Sequence, residues 1–143
     1  MDLLDINVLI YAHREDSPEH DRYAPWLTAL ANSSSPFALS SFTLAGFLRI
    51  VTNPRIFQPA TPMDQALAFC QQLIARPTAS IIQPGQRHWQ IIVELIESGG
   101  VHGAMVSDTY LAALAIEHDC ELVTSDKDFA RFPKLRHPLN ESA

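Results

Sequence analysis

Three aspartates that lie far apart in the chain each stand at a place where a sheet could gather them. Asp5 lies inside an apolar stretch, Asp108 opens a predicted helix, and Asp126 follows a predicted strand. In an open parallel sheet, the carboxyl ends of the strands share one edge, and ligands bind there. We therefore predict that the three carboxylates meet in one cleft.

Each aspartate also has a purely structural explanation. Asp108 would suit the N-terminal cap of a helix, a common position for aspartate, and Asp126 would suit a turn. Asp5 is harder to explain in this way, because a carboxylate among leucines and isoleucines is costly to bury without a partner. The nearest cationic side chain in the sequence is Arg14. A bound metal ion would balance the buried charge.

Clustered carboxylates indicate a divalent cation. Two carboxylates about 4 Å apart repel each other by roughly 4 kcal/mol at an effective dielectric near 20. Oxygen ligands favour Mg²⁺ or Mn²⁺ over zinc, which prefers histidine and cysteine. The associated reaction is metal-assisted hydrolysis of a phosphodiester.

Strand and helix patterns alternate along the chain. Such alternation predicts an α/β sandwich with a largely parallel sheet. We expect one domain over residues 1–143. The predicted strands are Asp2–Tyr11, Phe37–Leu39, Ser80–Ile82 and Glu121–Thr124. The predicted helices run from Pro18 to about Leu30 and over Thr43–Val51, Met63–Ala75, Gly85–Glu97 and Asp108–His118, with Ser98-Gly99-Gly100 ending the fourth.

Composition narrows the class of protein. Hydrophobic residues make up 47% of the chain and charged residues 18%, so it can bury a core without disulfides and is not a disordered chain. The two cysteines, Cys70 and Cys120, have no close partner and are predicted to be buried thiols. No apolar run is long enough to span a membrane and no secretory signal is visible, so we expect a cytoplasmic protein. The net charge of −6 argues against a nucleic-acid binder with a broad basic face.

Three segments resemble the motifs of VapC-type toxins, which are PIN-domain ribonucleases. The residues Leu4–Tyr11 (LDINVLIY) resemble their opening motif, in which Asn or Ser follows two positions after an Asp. Asp108–Ala115 (DTYLAALA) resembles their third acidic motif, and Thr124–Phe129 (TSDKDF) their terminal one. Gly46–Arg55 (GFLRIVTNPR) is similar to a segment found in one branch of these toxins.

The resemblance implies a fold, a set of roles and a set of partners. The fold is a PIN-like three-layer α/β/α sandwich with a small, mostly parallel central sheet. Asp5, Asp108 and Asp126 would be the catalytic metal ligands, with Mg²⁺ or Mn²⁺ as the cofactor. A carboxylate could also accept the proton of the attacking water. The partners would be structured RNA such as tRNA or ribosomal RNA, a VapB-type antitoxin that inhibits the enzyme, and a second copy of the chain.

Further residues surround this predicted centre. Asn7 and Thr124 are expected to orient the carboxylates through hydrogen bonds, and Asp128 would either join them or lie in a solvated turn. For phosphate contacts the basic candidates are Arg14, Arg49, Lys127, Arg131, Lys134 and Arg136, each of which could equally be an ordinary surface residue.

One position departs from the family pattern. Most PIN domains carry a Glu in the second helix, three residues before an arginine such as Arg49, and this chain has Gly46 there. Asp128, Asn7, Ser41, Thr124 or a water could complete the coordination. A catalytically weakened RNA- or protein-binding module is therefore the alternative to a nuclease. A phosphoryl-handling domain of the receiver or haloacid-dehalogenase type fits less well, because Asn7 stands where the latter needs a second Asp.

Two other groups of residues invite a functional interpretation. Trp89, beside Arg87 and His88, could stack on RNA bases, but its helical spacing with Val93 and Ile96 predicts a core position. His13, His20 and His102 lie in different turns, so we expect ordinary polar roles and not a transition-metal site.

Overall fold

The structure is a computed structural model that describes residues 1–126, 129, 130 and 132. Its centre is a four-stranded sheet in the order β3-β2-β1-β4, in which every neighbouring pair is parallel. The strands are β1 (Asp2–Leu4), β2 (Phe37–Leu39), β3 (Ala79–Ile81) and β4 (Glu121–Val123). The helices are α1 (Ile6–His13), α2 (His20–Asn32), α3 (Ser41–Val51), α4 (Met63–Ile74), α5 (His88–Gly99) and α6 (Met105–Glu117).

Helices cover both faces of this sheet and give the predicted three-layer α/β/α sandwich. Successive strand residues point to opposite faces. Leu3 and Leu122 pack in one core cluster with α5 and α6, whereas Leu4 and Val123 pack in the other with α1, α2, α3 and α4. Because both faces are buried, β2 is apolar throughout and β1 is apolar after Asp2.

The first strand is shorter than the predicted range Asp2–Tyr11. Only Asp2–Leu4 is a strand, and the rest of the apolar run forms the helix α1. A short apolar run fits a buried strand and a buried helix equally well. The chain turns into the helix at Asp5, which has an extended backbone and caps the first turn, so Asp5 does not lie inside a strand.

The predicted strand Phe37–Leu39 has its observed bounds, and the other predicted elements are present with shifted ends. Helix α2 begins at His20 and not at Pro18. Helix α5 runs from His88 to Gly99, and the cap residue Gly100 has a φ of +61°, the left-handed conformation typical of a glycine cap. Helix α6 begins at Met105, so Asp108 lies within its first turn and is not its cap residue.

The sheet brings the ends of its strands to one edge. Asp5 follows β1 and its backbone N–H donates to the carbonyl of Val123 in β4. The register pairs Leu4 with Val123 and Leu3 with Ala38. Continuing it places Asp5 level with Thr124 on one side and with Ser40 on the other. Over the described residues, none of the helices combines the length and the hydrophobicity that crossing a membrane demands.

Candidate active site

Asp5 is the buried centre of the candidate site. Its side chain is only 6% exposed, and its Oδ1 accepts a hydrogen bond from the backbone N–H of Ile6 at 2.7 Å. This contact satisfies one of the free N–H groups at the start of α1. Asp5 therefore has a structural role as a helix cap, and its second carboxylate oxygen faces the end of β4.

Thr124 holds that second oxygen. The Thr124 hydroxyl donates a hydrogen bond of 2.6 Å to Oδ2 of Asp5 and accepts one of 3.0 Å from the backbone N–H of Asp126. Thr124 is completely buried. One hydroxyl group thus joins the ends of β1 and β4 and orients both Asp5 and the turn that carries Asp126, which is the kind of contact predicted for Thr124.

Asp108 and Asp126 lie close enough to Asp5 for their negative charges to affect its pKa. Burial is the main cause that raises the pKa of Asp5 from its ordinary 3.8 to about 6, while the hydrogen bonds from Thr124 and Ile6 act in the opposite direction. The negative charges of Asp108 and Asp126 raise the pKa further. The structure therefore brings the three predicted acids into one electrostatic neighbourhood, although Asp108 comes from α6 and Asp126 from beyond β4.

This neighbourhood is not a preassembled metal cage. In the part of the chain that the structure describes, no three His, Cys, Asp or Glu side chains are placed to hold a metal ion together. The donor chemistry nevertheless fits a hard divalent cation, because all three groups are carboxylates. A nearby cation would also favour the ionised form of Asp5 and oppose its raised pKa. A shared ion requires the carboxyl groups of Asp108 and Asp126 to approach Asp5.

Gly46 lies against Ile6, a contact that the sequence did not reveal. A Cβ atom at Gly46 would lie 2.8 Å from Cδ1 of Ile6, which is closer than real Cβ atoms come to any neighbour. The atom met is the terminal methyl group of Ile6, which can turn aside, so this contact alone does not require glycine at position 46. Ile6 was not among the predicted site residues, and only its place directly after Asp5 gave a signal.

The remaining predicted site residues fall into two groups. Asn7 lies half-buried in the first turn of α1, and Arg49 is exposed in the last turn of α3. Their predicted roles stay predictions. The other residues lie outside the described part of the chain: Lys127, Asp128, Arg131, Lys134 and Arg136.

Arg14 is engaged within the protein. Its guanidinium group forms two hydrogen bonds with Asp16, at 2.9 and 2.6 Å, and donates to the carbonyl of Pro59 at 3.0 Å and to the hydroxyl of Thr61 at 3.2 Å. It also lies 4.3 Å from the ring centre of Phe57. These contacts tie the loop after α3 to the end of α1, so the structure offers no support for the predicted phosphate contact of Arg14.

Other predictions from single residues had mixed outcomes. Trp89 is 70% exposed, so the predicted core position was wrong, because the buried face of α5 runs through His88, Ile91, Ile92 and Leu95. His13 packs against two phenylalanine rings and its Nε2 lies 3.0 Å from the Thr61 hydroxyl. Both cysteines are buried and unbridged, as predicted.

Comparison with known proteins places these features in a family. The family model of the PIN domain matches residues 3–135. "Ribonuclease VapC31" of Mycobacterium tuberculosis is 40% identical over 137 residues, covering 96% of each chain. "Ribonuclease VapC43" of the same organism is 42% identical over 140 residues, covering 96% of this chain and 95% of its own.

The fold agrees with solved structures. The crystal structure of VapBC2 from Rickettsia felis, bound to a promoter DNA fragment, has a chain that superposes with a TM-score of 0.69 at 24% identity. The match covers 95% of this chain and 96% of that one. On the family match, the near-complete coverage by relatives and the shared fold, this chain belongs to the PIN-domain family and, within it, to the VapC ribonuclease toxins of toxin–antitoxin systems.

Proposed function

We propose that the chain is a Mg²⁺- or Mn²⁺-dependent endoribonuclease whose catalytic residues are Asp5, Asp108 and Asp126. The observation that carries this proposal is the buried carboxylate of Asp5, held by Thr124 and exposed to the charges of two further aspartates. A buried carboxylate with a raised pKa and like-charged neighbours is costly unless a function requires it.

The chain's own residues would have distinct tasks in this centre. Asp5, Asp108 and Asp126 would hold the divalent ion, which when bound lowers the pKa of a water molecule and stabilises negative charge on a phosphodiester. Thr124 fixes the orientation of Asp5 through its hydroxyl group. One of the three carboxylates could also accept the proton of the attacking water.

The proposal extends to substrate, partner and cellular setting. The relatives are named ribonucleases, which supports RNA as the substrate, and we expect structured RNA such as tRNA or ribosomal RNA. The structural neighbour comes from a VapBC complex, which supports a VapB-type antitoxin as the inhibiting partner. A homodimer in the cytoplasm, where these RNAs are found, completes the proposal.

A catalytically weakened binding module is the second candidate. It is favoured by Gly46, which stands where most PIN domains carry an acid. The carboxylates that are described also do not form a ready group of three. Such a module would bind RNA or protein without hydrolysing a phosphodiester.

Expression in a bacterial host distinguishes the two candidates. The wild-type chain, Asp5→Asn and the matched control Asp21→Asn, which changes an exposed acid on α2, are induced in parallel, and new RNA 5′ ends are mapped across the transcriptome. We expect growth arrest and discrete cleavage sites for wild type and Asp21→Asn, and neither for Asp5→Asn. Cleavage that persists in Asp5→Asn would exclude the proposed centre.

Metal binding by the purified protein provides an independent test. Calorimetric titration with Mn²⁺ should give a binding signal for wild type that Asp5→Asn loses and Asp21→Asn keeps. A wild-type chain that binds no Mn²⁺, does not arrest growth and yields no new RNA ends would establish the weakened module in place of the nuclease.

A further inference from the structure

Three aromatic rings form a column near the three acids of the candidate site. The ring centres of Phe42 and Tyr110 are 4.9 Å apart at an angle of 32°, and those of Tyr110 and His88 are 4.6 Å apart in an edge-to-face arrangement. His88 is buried, and its Nε2 lies 2.9 Å from the carbonyl oxygen of Tyr110. Phe42 is 42% exposed. We call Phe42, Tyr110 and His88 the aromatic column; its inner end is fixed in the core and its outer end meets solvent.

The aromatic column lies at the same edge of the sheet as the acids. Phe42 stands in the first turn of α3, two residues after Ser40, and Ser40 is level with Asp5 in the register of β1 and β2. Tyr110 follows Asp108 by two residues on α6. Helices α3 and α6 belong to opposite layers. The contact between Phe42 and Tyr110 therefore crosses the edge of the sheet where the strands end, close to Asp5 and Asp108.

The charge of the protein makes an uncharged contact with RNA important. The chain carries a net charge of −6, and the candidate site holds three acids, so phosphates receive little attraction from the protein surface as a whole. Stacking of bases on aromatic rings supplies affinity that does not depend on phosphate charge, and it tolerates any base. An exposed phenylalanine that is supported from behind by a second ring has the form of such a platform.

We propose that Phe42 is a stacking platform for a nucleobase of the RNA substrate, adjacent to the phosphodiester that is cleaved. This inference rests on the proposed nuclease function. Tyr110 and His88 keep the Phe42 ring in place and are positioning residues, whereas Phe42 contacts the base and adds affinity without selecting a sequence. The contact requires an unpaired base, so the platform favours cleavage in loops and other single-stranded parts of a structured RNA.

Binding measurements on a cleavage-deficient background test this role. The probe is a fluorescein-labelled oligoribonucleotide copied from a cleavage site mapped in the expression experiment, and its affinity for Asp5→Asn is measured by fluorescence anisotropy. Adding Phe42→Ala should weaken binding roughly 5- to 150-fold, the range of one base–aromatic stack. Adding Phe42→Trp should preserve binding. Leu67→Ala, which truncates an exposed apolar side chain on α4 (46% exposed), is the matched control and should leave binding unchanged.

An abasic scan identifies the stacked base. Oligonucleotides that lack one base at a time should reveal a single position where base removal weakens binding to the chain with Phe42 but has no further effect on Phe42→Ala. If removing a base weakens binding by the same factor with and without the Phe42 ring at every position, the stacking role is overturned. The stacking role is also overturned if Phe42→Ala changes the protein from dimer to monomer in size-exclusion chromatography while each folded chain keeps its affinity for RNA. That result would show that Phe42 contacts a second copy of the chain.

The two proposals fail in distinguishable ways. If the wild-type chain cleaves RNA through Asp5 but Phe42→Ala binds the probe as tightly as its parent, only the stacking role is refuted. If no cleavage site can be mapped for the wild-type chain, the nuclease function fails, and the stacking role fails with it.

Discussion

Replacing Asp5 by asparagine should remove catalysis and yet make the protein more stable at neutral pH. The pKa of Asp5 is raised from 3.8 to about 6, so its ionisation opposes folding. A shift of about 2 units corresponds to about 3 kcal/mol at pH 7, since one unit equals about 1.4 kcal/mol. Asparagine keeps an oxygen for the N–H of Ile6 but offers an NH₂ group to Thr124. Loss of that hydrogen bond costs about 1 kcal/mol, which leaves an expected gain of about 2 kcal/mol.

The pH dependence gives this prediction its sign. The folded state holds the Asp5 proton more tightly than the unfolded chain does, so the contribution of Asp5 to stability is fully present below about pH 4 and is lost as the pH rises through about 6. Asparagine does not titrate. The stability advantage of Asp5→Asn should therefore be about 1 kcal/mol smaller at pH 5 than at pH 7.5.

Urea denaturation in EDTA, followed by circular dichroism at pH 5 and pH 7.5, measures the stability difference between Asp5→Asn and wild type and its change with pH. Asp21→Asn serves as the control, because Asp21 is exposed on α2 and its replacement should change stability little. Adding Mn²⁺ at pH 7.5 should stabilise the wild-type chain and not Asp5→Asn. The reasoning is refuted if Asp5→Asn is no more stable than wild type at pH 7.5, or if the difference between them is the same at both pH values.

Three further changes test contacts around the site. Gly46→Glu should change the free energy of unfolding by less than about 1 kcal/mol, because the atom that its Cβ meets is the terminal methyl group of Ile6, which can turn aside, and because a glycine within a helix is itself unfavourable by about 1 kcal/mol; a clear fall in the urea midpoint that Ile6→Ala reverses would contradict this. Thr124→Val should raise the pKa of Asp5 above about 6 in a carbon-13 NMR titration, whereas Thr124→Ser should leave it in place; an unchanged pKa in Thr124→Val would show that the hydroxyl does not stabilise the carboxylate. Arg14→Met should speed amide hydrogen exchange in the loop after α3 without weakening RNA binding, and the opposite pair of results would restore Arg14 as a phosphate contact.

The sequence predicted the layers of this protein better than the point where β1 ends and α1 begins, at which Asp5 lies. Phe37–Leu39 was predicted with its observed bounds because the polar loop ending in Pro36 precedes it and Ser40 and Ser41 follow it. The first strand was predicted to run to Tyr11, since nothing in an unbroken apolar run shows where extended backbone becomes helical. The hydrogen bond of the Asp5 side chain to Ile6 marks that point, and the register with β4 brings Thr124 to it.

The side-chain contacts that cross between elements were the least predictable part. The sequence showed that Gly46 lacks an acid, but only the packing of α1 against α3 shows that Ile6 occupies the adjacent space. Trp89 was placed in the core from helical spacing, yet spacing alone fits more than one face of α5, and His88 and its neighbours take the buried one. Periodicity constrains a helix face only when the partner surface is known.

The link between Thr124 and Asp5 joins residues separated by 119 positions, and β1 lies between β2 and β4 in the sheet. During synthesis the first strand leaves the ribosome early, but the hydroxyl that orients its carboxylate and the strand that covers its flank arrive only near the end of the chain. A nascent chain therefore lacks the contact between Thr124 and Asp5 until most of the chain has been translated, so the proposed centre can be completed only late in synthesis.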